Sequence, residues 1–173
     1  MATMAPHRPA REPPRSALFR ECGMALPDQG RTAWLRDTHF VVAAAAAIPV
    51  WLGLGMALGG RMQMLAGWSA WISFVHVLPL VEELVDRGVL QGQLLRLSSA
   101  RRVGPLTLAN LCTTAAFAAM HLISQPPYWA AAVAVPSMVF GHLRERFGSV
   151  WPAVLMHALY NAGFASTAWW VQR

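Results

Sequence analysis

Apolar residues fill most of this chain in long stretches, separated by short clusters rich in arginine, glycine and proline. The first stretch, from about Thr38 to Gly60, is long enough at about 1.5 Å per residue to cross a hydrocarbon core of roughly 30 Å. Its Ala43–Ala47 run and Gly53, Gly55, Gly59 and Gly60 offer small surfaces for close helix packing. A second stretch, from Met62 to about Leu97, is too long for one simple span. Pro79 near its middle lacks a backbone donor and crowds the preceding turn, so a kinked, tilted helix or two helices are predicted. A third span covers roughly Val103–Ser124 and stops at Gln125-Pro126-Pro127. A fourth covers about Tyr128–Leu143 and stops at Arg144-Glu145-Arg146-Phe147-Gly148. The fifth begins near Val150, with Pro152 in its first turn, and runs to Val171. Trp151, Trp169 and Trp170 sit at its ends, where interfacial aromatic anchors belong. The predicted fold is therefore all-α, a polytopic helical membrane bundle of about five transmembrane helices. Only helices satisfy their own backbone groups over such apolar runs.

The first 37 residues break this pattern. Rich in Pro, Arg and Ala and without periodicity, they predict a basic, partly disordered cytoplasmic tail, with a short interfacial segment at Ala33–Asp37. No charge-poor signal-peptide core is present there. The domain division expected is thus residues 1–37 as tail and 38–173 as a transmembrane domain.

Composition supports the membrane reading. Of 173 residues, 55% are hydrophobic and 13% charged, about half the charge of an ordinary soluble domain, and the mean hydropathy is +0.38. The net charge of +6 comes entirely from arginine among the 14 basic residues. Most of these arginines flank apolar runs, which argues for topology and against nucleic-acid binding. With the tail inside, five spans place Arg96, Arg101, Arg102, Arg144, Arg146 and the tail arginines on the inner side, and only Arg61 and Arg173 outside. This predicts an integral, multi-pass protein with a cytoplasmic N-terminus, in a bacterial inner membrane by its arginine-only basic composition and small size. Cys22 and Cys112 form neither a disulfide framework nor a cysteine-rich metal site.

Against this background the charges inside the spans stand out. Glu82, Glu83, Asp86 and Arg87 lie within the second stretch, where each charge costs a few kcal/mol or more and marks a wet cavity or a bundle interior. Glu83 and Arg87 are four apart, in the order suited to an intrahelical ion pair. Glu82 points about 100° away and needs a different partner. Asn110, Thr114, Phe117 and His121 follow a 4-3-4 spacing on one face of the third span, and His157 and Asn161 are neighbours on the fifth. Counted from the inner boundary, Glu82, His121 and Asn161 lie at a common depth of roughly 18–24 Å, with His157 somewhat lower. A carboxylate beside an imidazole can deprotonate water, and a second His with an Asn can supply donors to a developing oxyanion. Zinc held by Glu82, His121 and His157 is an alternative route, disfavoured by the absence of an H-E-x-x-H helix. Asn110, Thr114, His76 and His142 read as packing or interhelical hydrogen-bonding residues.

Glu82-Glu83-Leu84-Val85-Asp86-Arg87 fits E-E-x-x-x-R, Phe117 to His121 fits F-x-x-x-H, and His157 to Asn161 fits H-x-x-x-N. In this order, on separate apolar helices, they resemble the CAAX protease and bacteriocin-processing family of intramembrane glutamate proteases. The resemblance covers about Met62–Phe164. It implies that Glu82 and His121 activate water, that His157 and Asn161 stabilise the oxyanion, and that Glu83, Arg87 and Phe117 support them. No cofactor is expected. Asp86 departs from the pattern, placing a third acid on the face of Glu82. The expected function is an intramembrane endopeptidase acting on a membrane-anchored protein or a lipidated or C-terminal-signal peptide. The competing readings are a non-catalytic scaffold or bacteriocin-immunity protein of the same fold and, less favoured, an ion-coupled carrier.

Overall fold

A computed structural model of the chain describes residues 19–27, 32–98 and 100–173; the other residues, including most of the predicted tail, lie outside the described part. The described chain is almost wholly helical. Helix α1 spans Thr38–Leu58 and starts where the Asp37 carboxylate accepts the backbone N–H of His39, a side-chain N-cap. The expected segment before it is a single 3₁₀ turn, Ala33–Arg36. The long helix α2 runs from Gly67 to Leu97. Next comes a two-residue antiparallel ribbon, β1 (Arg102–Val103) with β2 (Leu106–Thr107), turned by Gly104 at φ +64°. Helices α3 (Leu108–His121), α4 (Pro127–Ala132), α5 (Ala134–Phe147) and α6 (Trp151–Val171) complete the bundle.

Two helical stretches, Thr38–Arg61 and Gly67–Leu97, are long and apolar enough to cross a membrane. The other three predicted spans differ in detail from the expectation. The third begins at Leu108 rather than Val103, because Gly104-Pro105 turns the chain into the ribbon. The fourth is divided at Val133 into a single-turn and a 14-residue helix. At 14 residues each, α3 and α5 are about 21 Å long, shorter than the core of a typical bilayer. The second stretch is one continuous helical run, not two helices. Its irregularity takes the form of two π-helical turns, at Ser73–Val77 and Leu84–Leu90. The first lies just before Pro79, where a residue without an N–H has to be absorbed; the second carries Asp86 and Arg87.

Helix α6 is the central strut. It packs along α1, along α5, and against the first half of α2. Two close approaches make this possible. Gly163 of α6 lies directly under the indole of Trp51, with no room for a Cβ, and Gly55 of α1 faces Thr167. The aromatic core of Trp34, Phe40, Phe140 and Phe147, with Leu143 and Met156, closes the end of the bundle where α1 begins. Residues 21–25 of the tail are held there too. Their carbonyls accept from Arg144, Val150, Trp151 and Ser149, while Glu21 pairs with Arg96 at 2.7 Å. This backbone crosses α2 at Gly92, where a Cβ would come within 2.9 Å of the Glu21 carbonyl.

Candidate active site

The second π turn begins just after Glu83, and the two glutamates diverge as the helical rotation requires. Glu83 is fully buried. One of its oxygens accepts from Arg87 Nε at 3.3 Å, and the other faces His157 Nδ1 at 2.9 Å. The Glu82 carboxylate keeps 28% of its side-chain surface open, and its Oε2 lies 3.7 Å from His157 Nε2. His157 therefore stands between the two acids. Its Nδ1 carries the hydrogen donated to Glu83, which leaves Nε2 turned toward Glu82. The gap of 3.7 Å is too long for a direct hydrogen bond. The imidazole is clamped in plane by Phe140, stacked at 4.6 Å and 17°.

His121 reaches the same region from the end of α3. Its Nδ1 donates to the Phe117 carbonyl at 2.9 Å, since a carbonyl can only accept, and Nε2 is thereby left as the free, basic nitrogen. Phe117 lies between the parts: its ring contacts His121 at 4.6 Å and His157 at 6.1 Å, and the Arg87 guanidinium sits 5.7 Å over it. Arg87 is fully buried and anchored by Ser137, which accepts from Nη2 at 2.6 Å. From Ser137 the chain of bonds passes to Thr114 at 3.1 Å, to Asn110 at 3.2 Å, and from Asn110 Nδ2 to the Met138 carbonyl. This relay ties α2, α3 and α5 into one polar seam.

Three of the four sequence-predicted catalytic residues, Glu82, His121 and His157, thus gather in one place, with Glu83, Arg87 and Phe117 against them. Asn161 does not face the glutamates; its Nδ2 donates to the Phe74 carbonyl of α2 at 2.8 Å. Helices α6 and α2 run antiparallel, so the residue one turn after His157 meets a point well before Glu82. Asp86 is buried beside Arg87 and feels its charge together with those of Glu83 and Glu82. Sequence reasoning missed Ser137 and Phe140. A serine after Pro136 in an apolar helix and one phenylalanine among seven carry no motif, and only helix packing reveals them. Asn110 and Thr114, read from the sequence as interhelical hydrogen bonders, take that part in the seam.

Among the described residues no three His, Cys, Asp or Glu side chains are grouped so as to hold a metal ion. His157 Nδ1 is taken by Glu83, and its Nε2 is the ring nitrogen on the side of Glu82. A cavity of about 850 Å³ lies elsewhere, between α1 and α5. Its wall is mainly aliphatic, with His39 and His142, whose rings stack 5.1 Å apart, lining it too. Phe140 and Tyr160 stand between it and His157.

No curated protein and no solved structure matches the chain. The family of type II CAAX prenyl endopeptidase Rce1-like proteins matches residues 64–163, more than half of the chain and the part that carries every residue of the seam described above. The chain belongs to the type II CAAX prenyl endopeptidase Rce1-like family, a family of CAAX-type intramembrane proteases, and with its two long apolar helices it is an integral membrane protein.

Proposed function

We propose that this protein is an intramembrane endopeptidase in which Glu82 activates the attacking water. The observation that carries the reading is the contrast between adjacent acids: Glu83 is sealed and spent on Arg87 and His157, whereas Glu82 is half-open opposite a fixed imidazole. A water in the gap between Glu82 and His157 Nε2 meets two acceptors. Glu82 takes one of its protons as the oxygen attacks the carbonyl carbon of the scissile peptide. The resulting tetrahedral oxyanion needs a donor, which His121 supplies at Nε2 when it enters the cycle already protonated from solvent, while neutral His157 keeps its acceptor toward the water. Collapse breaks the C–N bond, and the proton held by Glu82 passes to the leaving amine. Glu83 holds His157 in the tautomer that keeps Nε2 toward the cavity, and Arg87 holds Glu83. No step in this scheme requires a metal.

The topology we infer has about five spans, a cytoplasmic N-terminus and a bacterial inner-membrane location, supported by the arginine distribution. The substrate class we infer is a membrane-anchored protein or a lipidated or C-terminal-signal peptide cleaved in or near the bilayer. The test is proteolysis of tethered peptide substrates by purified protein in proteoliposomes. Glu82→Ala, His121→Ala and His157→Ala are each expected to lose roughly 100-fold or more. Full turnover by all three would overturn the assignment of these residues, and a native protein without turnover would leave a non-catalytic scaffold as the reading.

A further inference from the structure

The resting structure gives Asn161 a partner other than the reacting atoms, and the reason lies in the first π turn of α2. There the Leu78 N–H donates to the Ser73 carbonyl, an i to i+5 bond. In the same register the next carbonyl, Phe74, should receive the N–H of residue 79. That residue is Pro79, which has none. The α-register donor to Phe74 would be Leu78, whose N–H is on Ser73. The Phe74 carbonyl is therefore orphaned by the proline, and inside an apolar span a backbone carbonyl needs another donor. Asn161 Nδ2 donates to that oxygen at 2.8 Å. The Phe74 ring meets Phe164, one turn further along α6, at 6.4 Å, so side chains close the same junction.

We infer that Asn161 is a positioning residue that captures the carbonyl released by Pro79, and that this bond sets the register of α2 against α6. The pair of helices then touches through polar groups at two points: Phe74 with Asn161, and the two glutamates with His157. One point leaves the helices free to slide and rotate. Two fix both, and the 3.7 Å separation of Glu82 from His157 Nε2 depends on it. Proline and asparagine, 82 residues apart, act as one device. The proposal rests on the water-activation reading only for its consequence at Glu82.

A double-mutant cycle on the full chain in detergent micelles tests it, read by thermal unfolding. Asn161→Ala is expected to lower the midpoint by roughly 3–8 °C in the native background. In a Pro79→Ala background, residue 79 supplies its own N–H to the helix, and the same change is expected to cost less than half as much. Equal losses in the two backgrounds overturn the proposal. A second measurement does not need the proline variant to fold. The ¹³C carbonyl resonance of Phe74 is expected to move in the near-isosteric Asn161→Asp protein and to stay in place in His121→Ala; an unmoved resonance in Asn161→Asp also overturns it. Neither arm reads proteolysis, so a failure of the catalytic proposal is seen separately.

Discussion

Two side chains of the same chemistry, Glu82 and Glu83, differ in every physical respect because about 100° of helical rotation separates them. Glu83 is the only carboxylate bonded to the buried Arg87 guanidinium among the described residues. Replacing it leaves a charge in the bundle without its counter-ion, a loss of about 3–5 kcal/mol. Glu83→Gln is therefore expected to unfold at clearly lower denaturant than the native protein, while Glu82→Gln, which breaks no hydrogen bond, stays within about 1 kcal/mol. Equal stability of the two variants in detergent unfolding would refute this division of labour. Ser137 belongs to the same argument. Its hydroxyl satisfies Arg87 Nη2, and Nη1 has no hydrogen-bond partner among the described residues, so Ser137→Ala is expected to cost about 1–3 kcal/mol in the same assay. The ion pair was legible from the i, i+4 spacing alone. The anchor was not, because the register of α5 against α2 is a tertiary fact with no trace in either sequence segment.

Elements show the same boundary between what sequence determines and what packing decides. The apolar runs delimit α1, α2 and α6 well, since each is a long stretch whose backbone has no alternative to helix. They locate α3 and α5 less well: Gly104-Pro105 diverts five residues into a ribbon, and the helix pair α4–α5 divides at Val133. Glycines illustrate the limit. Four in the first stretch looked suited to helix packing, yet Gly55 is the one of them that meets a neighbour, and the tightest approach belongs to Gly163 under Trp51. Gly163→Val is expected to overpack that junction at about 1–3 kcal/mol, with α1 separating from α6 in tryptophan fluorescence. At its N-terminal end, α1 is joined to α5 by the bidentate pair of Asp37 and Arg146, at 2.8 Å on both arms. The guanidinium, with the N-cap bond, holds the Asp37 carboxyl down at about 2 from its ordinary 3.8. A depressed acid stabilises the fold above its unfolded pKa and loses that contribution as pH falls toward its folded one. The pair's contribution is thus complete above pH about 4 and fades between about 4 and 2. Asp37→Asn is expected to remove this part of the acid sensitivity, seen as a flatter dependence of unfolding midpoint on pH in that window.

For the whole molecule, the composition was decisive for class and the motifs for family, while the arrangement of the site was only half visible. Depth counting placed Asn161 level with Glu82, but antiparallel packing of α6 on α2 brings His157 there and sends Asn161 to Phe74. Counting along single helices cannot see the offset between two of them. The tail likewise acquires a structural part that composition did not suggest. Residues 21–25 are bonded across the α5–α6 turn and lie on α2 one turn beyond Arg87, so the C-terminal end of the glutamate helix is buttressed from outside the family-matched region. Cleavage of tethered peptides by purified Glu82→Gln protein, beside the native protein with and without exhaustive chelation, reaches the central claim most directly. The account predicts native turnover unchanged by chelation and a loss of at least about 100-fold in Glu82→Gln with its fold intact. Native turnover abolished by chelation, or retained in full by Glu82→Gln, would contradict it.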